Sequence, residues 1–132
     1  MTIVPIYAGI FALIYIYLAV RVVSLRRRYR VGIGHGGHIR LERSQRVHGN
    51  FAEYVPFALL LLFFVETQGR SVWLVHALCV ALLAGRLVHA YGVAQEKENV
   101  RLRVAGMTTT FGVMAVAAAT LLIGGVRHAV GV

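Results

Sequence analysis

The chain has 132 residues, of which 58% are hydrophobic and only 14% charged, and its formal net charge is +9. A soluble domain of this length needs a polar shell, and these proportions leave too little to make one. The surplus of positive charge invites a nucleic-acid reading, but the way it is distributed along the chain argues against that.

The apolar residues come in blocks. Residues 3–20 carry no charge, and Tyr7, Tyr15 and Tyr17 are the polar handles in that stretch. The spacing predicts a first helix over 3–28, with Pro5 in its first turn, where a missing N–H does no harm. Arginines follow this block rather than precede it, the reverse of a cleaved signal peptide, so it reads as a retained membrane helix. The segment VGIGHGGH, 31–38, has four glycines in eight residues and reads as a loop. A second helix is expected over 41–66. Its apolar part, 54–65, is too short for a bilayer core of about 30 Å, so the polar flank 43–53 must be helical too. Pro56 lies within it and frees a carbonyl or kinks the helix.

A turn over 67–71 contains Gly69, with Glu66 and Arg70 expected in water beside it. The third helix, 72–95, opens with Trp73 at an interface and again needs its polar flank, 86–93, to span. The run QEKEN, 95–99, makes the third connection, and a fourth helix covers 100–126. In that helix the small residues from Ala115 to Ala119, with Gly124 and Gly125, suit close packing. The fold class is therefore all-α: a single domain over 1–132, built as an integral membrane four-helix up-down bundle.

The basic residues give its orientation. Arg21, Arg26, Arg27, Arg28, Arg30, Arg40, Arg43 and Arg46 surround the first connection, and Arg86, Lys97, Arg101 and Arg103 the third. Only Arg70 lies in the second connection and only Arg127 near the C-terminus. Positive residues accumulate on the cytoplasmic side, so both termini are expected outside and the first and third loops inside. Anionic lipid headgroups are expected partners of the same basic loops.

Some residues do not belong in lipid. Arg46, Asn50 and Glu53 are spaced i, i+4, i+7 and share one helical stripe, which Arg43 extends toward the loop and Phe57 inward. Arg86 and His89, at i and i+3, share a face of the third helix. One reading is structural: Glu53 pairs with Arg86 or Arg46, and Asn50 bonds across helices. The balance of charge favours another. Arg43, Arg46, Arg86, His89 and Asn50 face a single carboxylate, Glu53, which suits an anionic, peptide-like ligand.

The stretch ERSQRVHGNFAEYVPFALLLL, 42–62, resembles the signature of the MAPEG family, the membrane-associated proteins of eicosanoid and glutathione metabolism. The matching pattern is Arg46-x-x-x-Asn50-x-x-Glu53-Tyr54-x-Pro56, supported by GRLVHAYG at 85–92 and RRRYRV at 26–31. The whole chain resembles the family's small bacterial branch. The resemblance implies a homotrimer that binds glutathione between subunits near the cytoplasmic face. It assigns Arg46, Asn50, Glu53 and Arg86 to the tripeptide. His89 stands where other members carry a glutathione-contacting tyrosine, and Tyr91 is a nearby substitute roughly 200° around the helix. The arginine that stabilises the thiolate corresponds to Arg27, or to Arg101 or Arg103.

The activity so implied is a glutathione-dependent transferase or peroxidase acting on a lipophilic electrophile from the bilayer. A non-catalytic protein that keeps the fold and pocket is the alternative. A metal site built from His35, His38 and His48 is disfavoured because His35 and His38 lie in a glycine loop without acidic or cysteine partners, and one from His76 and His89 because His76 lies in the outer half of the third helix, far from His89. His76 is expected to hydrogen-bond inside the bundle. Cys79, the lone cysteine, reads as a small buried hydrophobe.

Overall fold

A computed structural model describes residues 3–129, with side chains as far as Val126, so Arg127 falls outside the described side chains. Four helices follow in order: α1 (Ile3–Tyr29), α2 (Ile39–Thr67), α3 (Val72–Ala94) and α4 (Val100–Ala129). Each is long and apolar enough to cross a membrane. The polar flanks of α2 and α3 are helical, as the length argument requires.

Both ends of α1 are closed by identifiable contacts. α1 stops at a left-handed residue, Arg30, with φ of 55°. The Val31 N–H donates to the Arg26 carbonyl at 3.0 Å and the Arg30 N–H to the Arg27 carbonyl at 3.3 Å, the paired bonds of a Schellman ending. The Arg26 guanidinium then reaches past the end to donate to the carbonyls of Gly32 at 2.8 Å and Gly34 at 3.2 Å. At the opposite end of the bundle the Glu66 carboxylate accepts from the N–H groups of Ile3 at 2.8 Å and Val4 at 3.1 Å. These are orphan donors at a helix N-terminus, where negative charge also suits the helix dipole. Glu66 therefore caps α1 rather than pointing only into water. Arg70 is likewise half-buried and reaches the Thr120 carbonyl at 3.5 Å.

α2 and α3 pack together at the centre, α1 lies against α2 and the edge of α3, and α4 lies against α3 and α2. Among the described residues α1 and α4 do not touch. Buried residues of α2 recur every three or four positions, from Leu41, Ser44 and Val47 through Phe51, Val55, Ala58 and Leu62 to Val65. α4 buries only a narrow stripe, Gly106, Thr110, Val113 and Ala117.

Lipid gives no hydrophobic drive for helix pairing, so close backbone approach must supply it. Glycines do this at the α3–α4 contact. A Cβ on Gly106 would lie 2.5 Å from the Gly85 carbonyl and 2.6 Å from the His89 Cβ. One on Gly92 would lie 2.9 Å from the Arg103 nitrogen. The close α3–α4 approach is thus at Gly85, Gly92 and Gly106; within the stretch singled out in the sequence Ala117 is fully buried and a Cβ on Gly124 would meet the Arg70 and Gln68 side chains, while Ala115 and Ala119 are exposed and Gly125 faces open space. The contact sits beside Arg86 and His89, and it holds α4 against them.

Candidate functional site

The end of the bundle that carries the 30–38 and 95–99 connections holds most of the basic residues, and the polar stripes of α2 and α3 meet there. At its centre is Arg86, the bulkiest of the fully buried side chains at 1% exposure. Its Nη2 donates to the Asn50 side-chain oxygen, Oδ1, on α2 and to His89 Nδ1, the latter at 3.2 Å. Its Nη1 is 3.4 Å from Thr110 Oγ1 and 3.5 Å from Met107 Sδ, both on α4. The Tyr54 ring lies under the guanidinium, 5.9 Å from centroid to carbon.

These contacts fix protons as well as positions. A guanidinium has no acceptor, so His89 Nδ1 must offer its lone pair and the neutral ring carries its proton on Nε2. Thr110 accepts from Arg86 while its hydroxyl donates to the Gly106 carbonyl at 2.8 Å. Arg86 thereby ties three helices together. Its Nε is buried without a partner, and among the described residues no carboxylate pairs with it.

A polar cavity of about 80 Å³ opens beside this cluster, lined by Arg43, Arg46, Asn50, His89, Val93, Glu98 and Arg103. Glu98 bridges two of its walls: one carboxylate oxygen is 2.9 Å from Arg43 Nη1 and the other 2.9 Å from Arg103 Nη1. The two arginines, Arg43 first, hold the Glu98 carboxyl below the usual glutamate range. A separate apolar groove of about 400 Å³ runs between α1 and α2, with Phe11, Tyr15, Phe51 and Pro56 among its walls.

The structure brings together Arg46, Asn50, His89 and Arg103 around the cavity, with Arg86 directly behind Asn50 and His89. It does not bring in the others. Glu53 is exposed on the outer flank of α2 and takes part in none of the ion pairs among the described residues, so pairing with Arg46 or Arg86 is not what holds it. Tyr91 is 65% exposed and turned away from His89. Arg27 and Arg101 are exposed and line no part of the cavity. The sequence balance of cations against one carboxylate also needs correcting, because Glu98 is a second. It was read only as part of a connecting loop. Thr110 and Met107 were likewise missed; the glycine at 106, one turn before Thr110, was the available signal of where α4 approaches α3.

At the far end, the Tyr7 hydroxyl and His76 Nδ1 are 3.3 Å apart, so His76 is bonded within the bundle. Among the described residues no three His, Cys, Asp or Glu side chains converge as metal ligands.

The MAPEG family model matches residues 4–123. This chain belongs to the MAPEG family. The match spans all four helices and includes the Arg46–Asn50–Glu53 stripe. Within the curated proteins, the chain is 42% identical over 105 residues to the inner membrane protein YecN of Escherichia coli K12, covering 80% of this chain and 79% of that one. The YecN protein of Escherichia coli O6:H1 matches to the same extent. This MAPEG protein is thus a multi-pass membrane protein whose family stripe sits beside a buried arginine and a small basic cavity.

Proposed function

We propose that this MAPEG protein is a glutathione-dependent transferase or peroxidase that presents the thiolate to lipophilic electrophiles partitioning from the bilayer. The observation that carries the reading is the polar surface left uncovered on α2, a helix long and apolar enough to span a membrane. Arg46 and Glu53 are exposed on α2 beside a cavity too small, at about 80 Å³, for a tripeptide. A charge facing lipid costs about 2.5–3.5 kcal/mol at the middle of a span, where Glu53 lies in α2, and less toward the helix end, where Arg46 lies. A neighbouring subunit that closes over this flank would both cover them and enlarge the cavity, which supports a homotrimer with shared sites. Arg46, Arg103 and Asn50 would then hold the carboxylates and amides of glutathione, and Glu53 its ammonium.

Thiolate formation is the catalytic requirement, since a thiol of pKa about 8.5 is only a few per cent ionised at neutral pH. Of Arg27, Arg101 and Arg103, only Arg103 lines the cavity. The basic connections and the naming of its relatives as inner membrane proteins favour an inner-membrane location with those connections facing the cytoplasm.

A non-catalytic ligand-binding protein of the same fold is favoured by one specific observation: Arg103 is already paired with Glu98, while Arg27 and Arg101 stand clear of the cavity. The two readings separate in one experiment. The purified protein is mixed with glutathione, thiolate absorbance is followed, and conjugation of a chlorinated nitroaromatic is assayed. Thiolate formation with turnover is expected. Stabilisation by glutathione without either signal would establish the non-catalytic protein instead.

A further inference from the structure

Two guanidiniums from different helices, Arg43 on α2 and Arg103 on α4, converge on one point at the mouth of the polar cavity. Each donates to a different oxygen of the Glu98 carboxylate at 2.9 Å. Such a pair is a receptor for a carboxylate, and here its occupant comes from the same chain.

Glu98 is held by its side chain alone. The next residue, Asn99, is firmly anchored. Its N–H donates to the Gly92 carbonyl at 3.1 Å, its own carbonyl accepts from the Arg103 N–H at 3.1 Å, and its side-chain oxygen accepts from the Leu102 N–H at 3.2 Å. On the other side, Glu96 meets Arg40 at 3.3 Å in an ion pair exposed on both partners. The backbone is therefore pinned at Asn99, whereas only the two ion pairs hold the Glu98 carboxylate. The Arg103 side chain is 51% exposed, that of Arg43 27% and that of Glu98 18%, so water reaches the Arg103 contact most readily. With Glu98 seated, the remaining cavity is far smaller than the roughly 300 Å³ at which ligand pockets begin. With it withdrawn, Arg43, Arg46 and Arg103 would surround a space without a carboxylate.

We propose that Arg43 and Arg103 form a carboxylate seat for the anionic ligand, that Glu98 occupies the seat at rest, and that ligand binding exchanges one carboxylate for the other. The idea rests on the anionic-ligand reading above and adds a self-competitor to it. Glu98 would set affinity by opposing entry, and Arg43 would be a binding residue that the family stripe does not include.

The test uses the full chain in neutral detergent, with inorganic sulfate and glutathione titrated separately against wild type, Glu98→Gln and Glu98→Asp, read by thermal shift. Removing the competitor should lower the half-saturating sulfate concentration by about threefold to tenfold in Glu98→Gln. Adding Arg43→Gln to Glu98→Gln should abolish that gain. Glu98→Asp, too short to bridge both arginines, should give a smaller gain in the same direction and decides the matter if the glutamine variant does not fold. Equal sulfate midpoints in wild type and variants, or a gain that survives Arg43→Gln, would overturn the seat. Glutathione should follow the same order. If sulfate does so while glutathione binds to none of the proteins, the seat stands and the glutathione reading falls.

Discussion

The two ends of the bundle handle polar groups differently. At the far end they are bonded mainly to backbone: Glu66 accepts from the first N–H groups of α1, Thr67 Oγ1 donates to the Phe64 carbonyl at 2.8 Å, and Arg70 reaches the Thr120 carbonyl. At the basic end Arg26 and Asn99 also meet backbone, but the groups around the cavity are bonded to one another: Arg86 to Asn50, His89 and Thr110, and Glu98 to Arg43 and Arg103. A side chain bonded to a helix end stabilises that helix. A network of side chains has alternatives, and a ligand can enter it by exchange. That is why function is read in the network around the cavity.

The largest way to break the contrast is at its centre. Arg86→Ala should cost about 3 kcal/mol or more of stability and remove glutathione binding, because it leaves a void and unpairs Asn50, His89 and Thr110 together. Denaturation in detergent, with binding measured on the folded fraction, checks both. Gly106→Ala is expected next, at about 1–3 kcal/mol, since the new methyl would meet the Gly85 carbonyl at 2.5 Å. Gly112→Ala, where nothing lies within 4 Å, should be close to neutral, and equal melting temperatures for the two variants would contradict the glycine contact.

At the far end, Glu66→Ala should cost about 1 kcal/mol through loss of the α1 cap and leave ligand binding unchanged. A drop in binding would show that the ends are coupled. The smallest effect is the pH dependence of the Glu98 clamp. Its carboxyl is held below the usual range by Arg43 and Arg103. Its contribution is therefore complete above the ordinary glutamate pKa of about 4.3 and is lost as pH falls through the lower folded value. The stability difference between wild type and Glu98→Gln should be flat from neutral pH down to about 5 and shrink only below that.

The four spans were legible because hydropathy acts locally. Even the demand that 43–53 and 86–93 be helical followed from bilayer thickness, and the helices found, Ile39–Thr67 and Val72–Ala94, meet it. The stripe of Arg46, Asn50 and Glu53 was legible through helical spacing, but which of the three turns inward was not. Asn50 and Arg46 reach the cavity and Glu53 does not, because the shared stripe lies at the margin between the packed and open faces of α2. Glu98 could not be assigned from spacing, since its position depends on where Gly92 and Asn99 bring the start of α4. Glu66 looked like a solvated loop acid for the same reason: its partners are 62 and 63 residues away in sequence.

The most direct measurement is calorimetric titration of glutathione into the purified protein, with Arg46→Gln, Glu53→Gln and Arg27→Gln alongside. All three sites are exposed, so these substitutions leave the buried network intact. Saturable binding that is weakened at least tenfold by the α2 changes and untouched at Arg27 is the result expected from a site on the open flank of α2. Binding that is absent, or indifferent to Arg46 and Glu53, would contradict it.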